Sequence, residues 1–287
     1  MLGILQLLYR LPWLLLISAA ALVVIGTLAL YSASEGAWSP WAERQMLRAA
    51  IGTMLLIVVA MMPTPWLHRL SYWGLAVAVL ILIALPFVGT GTGATRWIEL
   101  GPFNFQPSEP AKLAVIIGLA RYLSGQTPEQ VQSLISYLPV MLMLGVPFGL
   151  VLIQPDLGTS FMLLMGGLAV VFAAGVPRRF LVTGALAAAA AAPILWSQLY
   201  DYQKARIMTF LNPEADVLGA GYQITQSKIA LGSGGLFGKG FLQGSQSQLN
   251  YLPEKQTDFV FTMIGEEFGF VGNLTVLLIY FAILASV

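Results

Sequence analysis

The stretch Trp13-Leu14-Leu15-Leu16-Ile17-Ser18-Ala19-Ala20-Ala21-Leu22-Val23-Val24-Ile25-Gly26-Thr27-Leu28-Ala29-Leu30-Tyr31-Ser32 contains no charged residue. About 20 such residues in a helix cover the roughly 30 Å of a bilayer's hydrocarbon, so the run reads as a membrane span. Comparable runs recur at Leu47 to Met62, Leu70 to Val88, Ala111 to Leu123, Ile135 to Ile153, Ser160 to Val176 and Phe180 to Leu199, and another begins near Phe259 and is still running at Val287. Hydropathy therefore predicts an all-α integral membrane protein, a polytopic helix bundle of about eight spans forming a single membrane domain over residues 1–287. Ser32-Ala33-Ser34 mimics a signal-peptide cleavage site, but a signal peptide's apolar region is only about 7 to 15 residues long, so the first run is expected to stay as an anchor. An apolar run that reaches the last residue is expected to continue into further spans.

Of the 287 residues 57% are hydrophobic and 9% are charged, against about 25% charged in an ordinary soluble domain, which excludes a soluble enzyme. Fourteen basic against 13 acidic residues give a net charge of +1, so the footprint of a nucleic-acid binder is absent. With no cysteine and one histidine, His68, disulfides and thiolate or multi-histidine metal sites are excluded, and no metal ligands are assigned. Positive charge in short loops marks the cytoplasmic side: Arg10, Arg69, Arg121, Arg178 and Arg179 fall there, and Arg44, Arg48 and Arg96 at the outer edge. The same orientation puts residues 200–258 outside. Loops of more than about 15 residues without structure are uncommon, and the Ile, Leu, Phe and Tyr content here argues for a large folded extracytoplasmic loop, the expected seat of the chemistry.

Several polar residues need a reason. In Gln106-Pro107-Ser108-Glu109-Pro110-Ala111-Lys112, Ser108 suits a helix cap and Glu109 the positive end of the helix dipole. Glu109 and Lys112, three apart, share a helix face and can pair. A lone charge at mid-bilayer costs about 2.5 to 3.5 kcal/mol, so a buried ion pair is expected, with direct substrate contact as the alternative. Asp156, in Gln154-Pro155-Asp156-Leu157-Gly158-Thr159-Ser160, is placed either to cap the next helix or to face a cavity at the membrane's outer edge; the two roles are compatible. The stretch Gly232-Ser233-Gly234-Gly235-Leu236-Phe237-Gly238-Lys239-Gly240 fails the P-loop pattern, and Gly89-Thr90-Gly91-Thr92-Gly93 lacks a βαβ context. The first is a tight turn or an anion-binding nest with Lys239. Asp258 stands where the outer loop re-enters an apolar helix, as a cap or as a working carboxylate. Glu266 and Glu267 follow about 12 to 14 Å deeper in a continuous helix. A short helix ending near Gly265 or Gly269 is expected before the true crossing.

These residues are similar, in order, to the SEDS family of bacterial cell-wall proteins (shape, elongation, division and sporulation). The resemblance rests on Thr95-Arg96-Trp97-Ile98, Phe105-Gln106-Pro107-Ser108-Glu109, the Asp156 stretch, Asn212-Pro213-Glu214, Gly219-Ala220-Gly221-Tyr222-Gln223, the glycine loop, and Leu252-Pro253-Glu254 leading into Thr257-Asp258-Phe259. Asp201-Tyr202-Gln203, Gln226-Ser227-Lys228-Ile229-Ala230 and Gly244-Ser245-Gln246-Ser247-Gln248-Leu249 resemble the elongation branch rather than the division branch. Gln256 departs from the histidine often found before Thr-Asp in the family. The resemblance implies ten spans in the intact fold, a place in the bacterial inner membrane, and polymerisation of lipid II at the outer leaflet into β-1,4 glycan during cell elongation. It further implies work with a class B penicillin-binding protein and the elongation machinery. The family's essential aspartate maps onto Asp258, its buried Glu and Lys pair onto Glu109 and Lys112, and its other important acid onto Asp156.

The implied reaction inverts an α-linked donor and needs a base for the attacking 4-hydroxyl, which Asp258 can supply. The departing pyrophosphate needs positive charge, and Arg48, Arg96, Arg206, Lys228 and Lys239 are the candidates. No organic cofactor is expected; a divalent cation, Mg or Mn, would ride on the phosphates. A lipid II flippase is the alternative, since intramembrane Glu109, Lys112, Glu266 and Glu267 also suit a transport path.

Overall fold

The computed structural model describes residues 12–89, 96–100, 103–131, 133–212, 219–245 and 255–286. Among the described residues ten α-helices of eleven residues or more follow in chain order: α1 (Trp13–Ala33), α2 (Trp41–Met61), α3 (Thr64–Val88), α4 (Ser108–Ser124), α5 (Leu138–Ile153), α6 (Leu157–Ala173), α7 (Arg178–Gln198), α8 (Asp201–Leu211), α9 (Ala220–Ser233) and α10 (Val260–Ala285). Each of the eight apolar runs thus carries a helix. Among the described residues five segments are long and apolar enough to cross a membrane: α1, α2, α3, Ile135–Ile153 and α10. Helix α6 is apolar but shorter, at 17 residues, and α4, also 17 residues, carries Glu109, Lys112 and Arg121. The chain is a multi-pass helical membrane protein.

The chain divides into two compact units, residues 60–203 and residues 1–59 with 204–287. In the first, α3, α4, α5 and α6 pack on one another around Leu82, Val115, Leu119, Val151 and Leu163, all essentially buried. Gly167 lies against Leu144 and Leu119, so the absent side chain lets α5 and α6 approach. Between α3 and α4 an antiparallel hairpin pairs β1 (Ile98–Leu100) with β2 (Phe103–Phe105), Ile98 opposite Phe105.

In the second unit α10 packs on α1 and α9. It is broken at Gly269, whose φ of 69° and ψ of −162° interrupt the helix between residues 260–268 and 270–285. That is one of the two glycines at which a break was expected. A break exposes helical carbonyls and amides, each of which needs a partner in a membrane protein. The turn after α9 provides them: Lys239 N and Gly240 N donate to the carbonyls of Glu266 and Glu267, both at 3.0 Å, while Phe270 N donates to Gly235 O at 2.9 Å and Val271 N to Leu236 O at 3.1 Å. The glycine stretch is therefore a turn pressed onto a broken helix. A Cβ at Gly238 (φ 83°) would run into the Glu267 carbonyl, and one at Gly234 into the Gly265 carbonyl. In residues 200–258 the described parts include α8, α9, this turn and a second turn from residue 255 on; residues 213–218 and 246–254 lie outside the description.

The close approach makes a prediction by comparison. Gly175 has φ 78° with open space around it, so Gly175→Ala bears only left-handed strain, about 1 to 2 kcal/mol. Gly238→Ala bears the same strain plus the collision, and thermal melting in detergent is expected to show the larger fall for Gly238→Ala; equal falls would remove the collision as a constraint.

Candidate functional site

The break in α10 gathers a polar cluster inside an apolar unit. Glu266, fully buried, accepts from Lys239 Nζ at 2.7 Å and from Ser245 Oγ at 3.3 Å, and Lys239 Nζ lies 2.8 Å from Ser245 Oγ. Glu267, next along the helix, points elsewhere: the Ser32 hydroxyl at the end of α1 donates to it, as do the backbone amides of Leu242 and Gly244. Successive residues on a helix face about 100° apart, so two adjacent carboxylates tie one helix to two different neighbours.

Asp258 lies in the turn 255–259, two residues before α10 begins. The N-cap residue is Phe259, without a side-chain cap bond. The Asp258 carboxylate is exposed, and among the described residues none donates a hydrogen bond to it. Lys255, in the same turn, is buried, its ammonium 6.0 Å from the centre of the Trp41 ring. Burial pushes this lysine below its ordinary range, and the Glu35 carboxylate partly restores it. A basic group outside the apolar helix thus sits three residues from an exposed carboxylate. Arg48 on α2 and Lys228 on α9, both in this unit, have exposed side chains. Arg206 is on α8, and its side chain lies outside the description.

The other unit holds a second cluster, at the turn between α5 and α6. Asp156 is buried and caps α6: Thr159 N donates to Oδ1 at 3.2 Å and Thr159 Oγ1 to Oδ2 at 2.9 Å. Gln106 Nε2 adds a bond to Oδ2 at 3.3 Å. Arg96 donates to the carbonyls of Gln154, at 3.4 Å, and Pro155, and Tyr202 Oη donates to Pro155 O at 2.7 Å. Arg96 and Asp156 are both occupied with the same turn. On α4, Lys112 Nζ lies 2.8 Å from Glu109 Oε1, and the side chains are 26% and 57% exposed. The expected pairing is present. The expected enclosure by this chain is not, because Glu109 lies in the first turn of α4 and on its uncovered side.

Among the described residues no three His, Asp or Glu side chains come together in a way that could hold a metal ion. Sequence alone singles out none of Ser32, Ser245 and Lys255. Ser32 reads there as one of several small residues after a span, and its partner is 235 positions away. Of the motif residues, Thr90 to Thr95, Pro213, Glu214, Gln246 to Leu249 and Leu252 to Glu254 lie outside the described residues, as does Arg10.

This multi-pass helical membrane protein has counterparts among known proteins. A family model described as a cell cycle protein, covering FtsW, RodA and SpoVE, matches residues 7–287. The peptidoglycan glycosyltransferase MrdB of Escherichia coli K12 is 42% identical over 271 residues, 94% of this chain and 72% of MrdB. Among solved structures, a chain of a peptidoglycan synthase complex, described for its structural coordination of polymerization and crosslinking, superposes with a TM-score of 0.78 at 32% identity, covering 95% of this chain and 76% of that one. The rod shape determining protein RodA of Thermus thermophilus gives a TM-score of 0.65 at 29% identity, over 95% and 72%. The fold is that of a membrane glycosyltransferase. The chain belongs to the FtsW/RodA/SpoVE family, the SEDS proteins that its motifs resemble.

Two predictions come from these clusters. Lys255 gives up its proton at a lower pH in the folded protein than in the unfolded chain, so between the two values the unfolded state binds more protons and stability rises with pH. That window ends near the ordinary lysine value of about 10.4. Lys255→Met is expected to flatten the rise of Tm with pH in this range, and slopes equal to the parent protein's would refute the assignment. For Glu109 and Lys112, the exchanged variant Glu109→Lys/Lys112→Glu is expected to retain more folded protein than the two single reversals predict by addition; strict additivity would argue against pairing.

Proposed function

We propose that this glycosyltransferase polymerises lipid II into β-1,4 peptidoglycan strands during cell elongation, with Asp258 as the general base. The observation that carries the reading is the exposed carboxylate of Asp258, just before a half-helix whose direction is fixed from both sides. The 4-hydroxyl of the acceptor sugar attacks the anomeric carbon of the donor, its proton passes to the Asp258 carboxylate, and the lipid pyrophosphate leaves from the opposite face. One in-line displacement inverts the donor's α configuration, so no covalent sugar intermediate on the enzyme is needed.

The pyrophosphate gains charge as it departs and is met by positive side chains. Exposed Arg48 and Lys228 are available for this, and Arg206 stays a candidate from its place in the sequence. Arg96 is spent on backbone carbonyls and Lys239 on Glu266. A divalent cation, Mg or Mn, would travel with the phosphates rather than in a protein cage. An apolar cavity of about 380 Å³ between α1 and α10, lined by Ile25, Leu28, Ile264, Phe268 and Val271, is a suitable place for part of a prenyl chain. In this reading residues 1–287 act as one membrane domain of the bacterial inner membrane with eight crossings. Residues 200–258 and the active site face the periplasm, where a class B penicillin-binding protein of the elongation machinery cross-links the product. The relation to a synthase complex that combines polymerization and crosslinking supports this partnership.

Purified protein in detergent, given lipid II, is expected to make glycan, and Asp258→Asn to lose about 100-fold or more of that activity, the range of a general base. Polymer made by folded Asp258→Asn at the parent rate would overturn the base assignment. A detergent solution has no second leaflet, so a flippase that only moves lipid II would make no polymer there.

A further inference from the structure

The half-helix at residues 260–268 is held at its far end, and its near end leads to the candidate base. Glu266 is clamped to the glycine turn by Lys239 Nζ, at 2.7 Å, and by Ser245 Oγ, at 3.3 Å. The same turn is bonded through its main chain to Glu266 and Glu267, and Glu267 is held to α1 by Ser32. Val260, where the half-helix begins, lies six residues before Glu266, about 9 Å away at a helical rise, and Asp258 precedes it by two residues of the turn, a lever of roughly 10 Å. A tilt of about 5° about Glu266 therefore displaces the Asp258 carboxylate by about 1 Å, and an error of that size in a reacting group can cost about 100-fold in rate. Lys239 has its ammonium turned to Glu266 and Ser245, beneath the turn, which is the geometry of a strut.

We propose that the Lys239–Glu266 pair, braced by Ser245, is a latch that aims Asp258, making Lys239 and Glu266 positioning residues for glycosyl transfer that do not touch the substrate. This rests on the assignment of Asp258 as the base. Breaking the latch leaves the carboxylate and the substrate-binding groups in place and loosens the half-helix between them. The loss therefore falls on kcat rather than on KM.

The test measures lipid II polymerisation by the purified protein across substrate concentrations for Lys239→Met, Glu266→Gln and the exchanged variant Lys239→Glu/Glu266→Lys. Each single variant is expected to lower kcat about 10- to 100-fold with KM within about 3-fold, and the exchanged variant to recover at least about 10-fold over the weaker single. Amide hydrogen exchange over residues 234–245 and 258–268 should quicken in the single variants and slow again in the exchanged one. Parent-like kcat in the single variants, a raised KM with kcat intact, or an exchanged variant no better than the singles would each overturn the latch. If either single variant fails to fold, Ser245→Ala, which removes one brace, is expected to lower kcat about 3- to 10-fold at unchanged KM, and an unchanged kcat would overturn the proposal. A parent protein without polymerase activity, or a fully active Asp258→Asn, would sink the functional reading instead; an active parent with unaffected latch variants would sink the latch alone.

Discussion

A backbone amide or carbonyl left without a partner in hydrocarbon costs several kcal/mol, and this requirement governs the part of the molecule built around Gly269. The left-handed φ at that residue stops the helical ladder of α10. The groups it frees are met by the main chain of residues 235–240, which runs alongside the break and exchanges hydrogen bonds with it in both directions. Glycine at 234 and 238 makes the approach sterically possible. Once the turn is seated, Lys239 can reach Glu266, Ser245 can brace both, and the amides of Leu242 and Gly244 can reach Glu267. The polar cluster is thus a consequence of a backbone problem and its solution.

The turn between α5 and α6 follows the same logic with side chains. Asp156 caps the Thr159 amide in the first turn of α6, and Arg96 and Tyr202 take the last carbonyls before it. Charged groups at these helix ends are committed to main-chain partners. In the unit that contains Asp258, the exposed charges among the described residues are a different set: Glu35, Glu43, Arg44, Arg48, Lys228 and Asp258 itself. Commitment and availability therefore separate the roster of polar residues more sharply than depth in the membrane does.

The helices were legible because a span is a local property: about 20 apolar residues specify it whatever surrounds them. The Glu109–Lys112 pairing was legible for the same reason, since a spacing of three is set by helix geometry alone. Whether that pair is enclosed depends on which face of α4 its neighbours cover, and hydropathy contains no such information. Asp156 as a cap was one of two compatible readings, and the Thr159 bonds supply the capping role. Gly269 was one of two possible break points, separated from Gly265 by the positive φ it adopts. The Ser32–Glu267 contact joins positions 235 residues apart and has no local signature. The burial of Lys255 has no local signature either, and the neighbours shown for it, Trp41 and Glu35, are equally remote in the chain.

The glycine turn is held by its main chain, and two of its side-chain-bearing residues, Leu236 and Phe237, are 65% and 80% exposed. The bonds that seat it use the carbonyls of Gly235 and Leu236 and the amides of Lys239 and Gly240, none of which depends on what those two side chains are. The shape of the turn and the identity of its outer surface are in this sense uncoupled. Position 236 can change in size, polarity or contact with whatever lies outside without disturbing the helix beneath, whereas Phe237 also lines the cavity between α1 and α10, so the turn is a place where a membrane enzyme can acquire new surroundings at one residue while its interior stays the same.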